Sequence, residues 1–86
     1  MEIEKGSVVK ATAGRDKNDI FVVIAIDCEY AIICNGKRRP LEKPKRKKLK
    51  HLSLTKMVVA EKSMSTNREI RKTLNQIKEF KDKVPQ

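Results

Sequence analysis

Seven consecutive apolar residues, Ile20-Phe21-Val22-Val23-Ile24-Ala25-Ile26, stand in a chain otherwise crowded with charge, and most of them branch at Cβ. The run is bounded by Asp19 and Asp27 and is too short for a good helix, while β-branched side chains favour extended backbone. It is therefore expected to be the central strand of a sheet. Asp27, Cys28 and Glu29 interrupt it, and Tyr30-Ala31-Ile32-Ile33-Cys34 resumes it, as the second arm of a hairpin would. Asn35-Gly36 closes that arm with a turn signal. Upstream, Gly6 to Ala11 reads as a short strand, and Thr12 to Asp19 carries the Gly, Asp and Asn of a loop between strands.

The chain has 86 residues, 38% hydrophobic and 37% charged. A polypeptide of this size buries only about 60% of the surface its unfolded form exposes. One compact domain with an appendage is the most it can support, as a small barrel or sheet rather than a helical bundle.

Beyond Gly36, Pro40 and Pro44 argue against a central strand, since neither donates a ladder hydrogen bond. That stretch is expected to be an extended, solvent-facing connection. A short edge strand is expected around Lys48 to Leu54, and Met57-Val58-Val59-Ala60 could form a last strand or cover an open end. Thr66-Asn67-Arg68-Glu69 matches a capping box, so a helix should begin there. Ile70, Leu74, Ile77 and Val84 then recur at helical spacing, with Phe80 at the edge of the stripe and Pro85 at its end. Such a stripe either docks on the chain's own sheet or waits for a partner.

The net charge of +10 is concentrated. Residues 1–36 carry a net −2, whereas residues 37–50 hold nine basic side chains against the single acid Glu42, and residues 51–86 a net +4. A basic run is often only a solvated surface. Here it lies between predicted strands, contains two prolines and adjoins an acidic remainder, which points to a polyanion-binding segment.

Other functions fit poorly. The single His51 has no acidic neighbour in sequence to make it a catalytic base, so no enzyme activity, catalytic residue, cofactor or small-molecule substrate is expected. Cys28 and Cys34 lack the close pairings of a zinc site, and one histidine does not complete four ligands, so no metal is expected either. Two cysteines are too few for a disulfide framework, which suggests reduced thiols, Cys28 at a turn and Cys34 in a strand. No apolar run approaches the roughly 18 residues of a membrane span, and the tail lacks the bulky apolar face of an interfacial helix. Met1-Glu2-Ile3-Glu4 does not resemble a signal peptide, so a cytoplasmic location without membrane contact is expected.

The segment Gly6-Ser7-Val8-Val9-Lys10-Ala11-Thr12-Ala13-Gly14-Arg15-Asp16-Lys17, followed by the apolar run to Ile26, resembles the KOW motif of strand, Gly-centred loop and strand. Cys34-Asn35-Gly36-Lys37-Arg38-Arg39 and Pro44-Lys45-Arg46-Lys47-Lys48-Leu49-Lys50-His51-Leu52 extend the likeness to bacterial KOW-domain RNA-binding proteins. These are similar to KOW-containing large-subunit ribosomal proteins of archaea and eukaryotes. Asn35 stands where that family would have Asp, and Asn18-Asp19 replace the Gly after the loop lysine. The resemblance implies a mainly β fold, a small SH3-like β-barrel at residues 1–55; the connector at 56–65 and the helical tail at 66–86, expected from the capping box and apolar spacing, have no counterpart in it. It also implies binding to structured or ribosomal RNA and association with translation. Because KOW barrels of transcription elongation factors contact proteins, the alternative is an interaction module docking on ribosomal proteins or RNA polymerase.

The candidate RNA contacts are Arg15 and Lys17 on the first loop, and Lys37, Arg38, Arg39, Lys43, Lys45, Arg46, Lys47, Lys48 and Lys50 on the basic run. His51 and Tyr30 complete the set, the latter as the one credible stacking ring; Gly14 is expected to shape the loop. With so few aromatic platforms, recognition should follow RNA shape and backbone rather than base sequence.

Overall fold

The computed structural model describes the backbone of residues 2–83 and the side chains of residues 2–77. The expected stripe positions Phe80 and Val84 and the stop at Pro85 fall outside the described side chains or residues. Five strands, β1 (Ser7–Ala11), β2 (Ile20–Asp27), β3 (Tyr30–Cys34), β4 (Lys45–Lys48) and β5 (Leu52–Val58), precede one helix, α1 (Asn67–Lys83). The protein is mainly β: all neighbouring strands are antiparallel, in the order β4-β3-β2-β1-β5.

The apolar run forms β2 at the centre of that order. Both faces of its first half are covered, whereas Ala25 and Ile26 are exposed. Phe21 and Val23 pack with Val9, Ala11, Ala31, Ile33 and Leu52 on one side. Val22 packs on the other with Val8, Cys34, Met64, Ile70, Leu74 and Ile77. The helix thus docks on the sheet of its own chain through the predicted stripe. Burial of each such side chain is worth about 1.5–3 kcal/mol, which stabilises a helix that would be marginal alone in water. The helix starts where the capping box predicted, with the Glu69 amide donating to Thr66 Oγ1 at 3.1 Å.

β4 and β5 lie at opposite edges, yet only the 3-10 turn Leu49–His51 joins them. Edges of a flat five-stranded sheet would be about 19 Å apart. The chain from Lys48 to Leu52 can span no more than about 14 Å. The sheet must therefore curl until its edges approach. The turn is fastened on both sides: the Leu49 amide donates to the Glu29 carbonyl, and the Thr12 amide to the His51 carbonyl, each at 2.9 Å. Register shifts between Val23 and Ala25 and between Ser7 and Val9 assist the coiling. The ladders do not pair β4 with β5, so the curled sheet is open among the described residues.

Two local expectations change, and one left open is settled in part. The stretch expected to be only a solvent-facing connection contains a turn, with the Lys43 amide donating to the Pro40 carbonyl, and then the edge strand β4. The edge strand expected at Lys48–Leu54 is instead divided by the 3-10 turn, because the chain must change edges there. β5 continues to Val58 across a bulge at which Lys56 takes a φ of +72°. Thr55 Oγ1 donates to the Val8 carbonyl at 2.8 Å across that irregularity.

Candidate nucleic-acid interface

β4 is built wholly of cations, and its alternation separates them into two sets. Arg46 and Lys48 are exposed, opposite Ile32 and Tyr30. Lys45 and Lys47 are half-buried, opposite Ile33 and Ala31, which belong to the inner core. Long aliphatic stems allow lysines to cover apolar surface while their ammonium groups reach a polar partner. A strand with no apolar residue can therefore close one side of a hydrophobic core.

Two contacts bring the separated basic segments together. Lys47 Nζ donates to the Ala13 carbonyl at 2.7 Å, and Arg39 Nη2 lies 3.3 Å from the Asp16 carboxylate. The Asp16 side chain is only 3% exposed. Both bonds secure the Thr12–Asp19 loop, on which Arg15 and Lys17 are exposed, against the basic run. Gly14 has a φ of +83°, and a Cβ there would sit 3.3 Å from Lys47 Nζ. Arg39 and Lys47, both candidate phosphate contacts, thus each also make a contact within the chain at this joint.

The turn after β3 is organised by Asn35, whose Oδ1 accepts from the amides of Lys37 and Arg39 at 3.0 Å each. This Asx arrangement leaves Lys37 and Arg38 exposed at its tip. Gly36, with φ +78°, faces α1: an added Cβ would be 2.5 Å from the Asn67 carbonyl oxygen. Arg71 Nη1 donates to the Gly36 carbonyl at 2.7 Å, and Asn67 Oδ1 accepts from the Leu41 amide at 2.8 Å. The helix and the basic turn thus form one joined element. Arg71 was missing from the sequence-derived candidates; its place near Arg68 and Lys72, beside the apolar stripe, was the signal that could have found it.

Arg46 is occupied differently. Its guanidinium carbon is 4.0 Å from the Tyr30 ring centre, and its Nη2 is 3.3 Å from the Asp27 carboxylate. One face of the ring expected to stack on a base is therefore covered from within the chain. His51 is half-buried in the 3-10 turn, and Lys43 and Lys50 are exposed. Among the described residues, Arg15, Lys17, Lys37, Arg38, Lys43, Lys48 and Lys50 form no ion pair. All seven are exposed, spread over the first loop, the Asn35 turn, residues 40–44, β4 and the 3-10 turn.

Both cysteines are free thiols, Cys28 exposed in the two-residue β2–β3 turn and Cys34 buried. Burial pushes the Cys34 thiol up to about 11. A hydrogen bond from Lys5 and its charge hold Glu61 below the usual carboxylate range. No described helix is long and apolar enough to cross a membrane, and no three described His, Cys, Asp or Glu residues are grouped to hold a metal. No protein-family model matches this chain, and no curated protein shows significant similarity to it.

Proposed function

We propose that this protein binds structured or ribosomal RNA, mainly through backbone phosphates, and that its curled sheet is an SH3-like barrel of the KOW type. The observation that carries the reading is that Lys47 and Arg39 tie the first loop to the basic run, while Arg15, Lys17, Lys37, Arg38 and Lys48 stay exposed without an ion pair among the described residues, in a domain whose first 36 residues are net acidic. Each phosphate neutralised by Lys or Arg releases condensed counterions, so many solvent-facing cations without acidic partners make a suitable footprint. Arg38 adds a planar fork for two phosphate oxygens, which lysine does not offer. The order β4-β3-β2-β1-β5, with β4 and β5 joined by a 3-10 turn, supports the barrel reading. Arg39 and Lys47 hold the surface together, and no catalytic role is assigned to His51.

Crosslinking in cells, followed by sequencing of the recovered RNA, tests the proposal. Enrichment of particular structured or ribosomal segments is expected, with loss of recovery when Lys37, Arg38, Lys48 and Lys50 are replaced by Gln. Undiminished recovery of ribosomal proteins or RNA polymerase, without enriched RNA, would instead make the protein an interaction module of cytoplasmic assemblies.

A further inference from the structure

A cleft of about 390 Å³ is lined by residues of the Asn35 turn and of α1, beside the bond that joins them. Lys37 and Arg38 of the turn, Arg71 and Asn75 of the helix, and Asp19 line it. Ile20 and Leu74 contribute apolar surface. The volume is at the lower end of the roughly 300–1,000 Å³ typical of small-ligand sites. Resting on the RNA-binding reading, we propose that this cleft receives a single unpaired nucleotide projecting from otherwise structured RNA.

Three features select that ligand. The first is preorganised positive charge from two directions. Arg71 is held by its Nη1 bond to the Gly36 carbonyl at 2.7 Å. That bond uses one of the five N–H donors of a guanidinium, leaving others for a phosphate. Lys37 and Arg38 are presented by the Asn35 turn, whose two amide bonds fix the backbone from which they project.

The second feature is Asp19. A site for phosphate alone would be weakened by a carboxylate, whereas a nucleotide also brings donors: its ribose hydroxyls, and an exocyclic amine on most bases. A carboxylate accepts hydrogen bonds from these groups. The third is shape. A regular duplex presents phosphates on a convex surface and keeps its bases stacked inside, so it can touch only the rim. A bulged nucleotide can place its sugar or base over Ile20 and Leu74 while its phosphate meets the three cations. The helix, absent from the KOW resemblance, thereby supplies one wall of an RNA subsite.

The test compares two RNA hairpins with identical stems, one carrying a single bulged nucleotide, by fluorescence anisotropy at one salt concentration. The bulged form should bind about tenfold more tightly, the equivalent of one net charge-assisted hydrogen bond. Arg71→Gln and, separately, Asp19→Asn should bring that ratio close to one, whereas Lys48→Gln should weaken both hairpins and preserve it. Asp19 is exposed, so its replacement tests the cleft without removing the Arg71 bond to Gly36. Equal wild-type binding to both hairpins would overturn the cleft proposal while leaving RNA binding intact. Binding to neither would overturn both. A preference retained by both cleft variants would place bulge recognition elsewhere and also overturn it.

Discussion

The guanidinium of Arg46 stacks on the ring of Tyr30, its central carbon 4.0 Å from the ring centre. Asp27 holds the same side chain through a 3.3 Å ion pair. These contacts join three strands at their exposed face and keep one of the candidate cations partly engaged within the chain. Because Arg46 and Asp27 are both 56% exposed, the pair is worth little to stability. Its effect should appear in binding.

Replacing Asp27 by Asn removes a negative charge from the interface and releases Arg46. RNA affinity should rise, and the log–log dependence on salt should steepen by about 0.7 on single-stranded RNA if one more phosphate is engaged. Titrations at four or five salt concentrations measure the change. An unchanged slope and affinity would exclude Arg46 from the footprint.

Arg39 and Arg38 are adjacent but should behave oppositely. Arg39 meets the buried Asp16, so Arg39→Ala leaves that carboxylate without its cation and should cost about 1–3 kcal/mol in urea denaturation. Arg38→Ala alters an exposed side chain without an ion pair. It should leave folding within about 0.5 kcal/mol of wild type and lower RNA affinity.

Gly36→Ala tests the joint between turn and helix. A positive φ disfavours alanine, and its Cβ would meet the Asn67 carbonyl oxygen at 2.5 Å. Destabilisation of about 3 kcal/mol is expected. Hydrogen exchange should accelerate from Arg71 to Ile77 as the helix loses its seat.

The contrast between the two thiols gives a pH prediction. Near pH 8 an alkylating reagent should modify exposed Cys28 and reach buried Cys34 only after unfolding. The folded protein holds the Cys34 proton more tightly than the unfolded chain does. Stability should consequently decline as pH rises from about 9, the ordinary thiol value, through about 11. Cys34→Ala should remove that component from denaturation curves measured across the interval.

Local signals made much of this fold legible. The apolar run identified β2, the interruption at Asp27–Glu29 located the hairpin, and Thr66 with Glu69 marked the helix start. β4 escaped notice because its stability is not local: Lys45 and Lys47 gain their place by laying stems over a core built elsewhere. The curl that shortens the β4–β5 connection, and so breaks the expected Lys48–Leu54 strand, likewise depends on the whole sheet. At the candidate site, the sequence displayed the cations but not their commitments. Asp16 is distant from Arg39 in sequence, as Ala13 is from Lys47, and nothing in the tail alone places Arg71 beside Gly36.

The most direct measurement is the affinity for RNA as a function of salt, for the wild type and for the variant with Lys37, Arg38, Lys48 and Lys50 replaced by Gln. Engagement of about five cations predicts a log–log slope of about −3.5 on single-stranded RNA, and loss of four should leave it near −0.7. A flat wild-type salt dependence, or an equally steep one in the variant, would contradict phosphate binding by this surface.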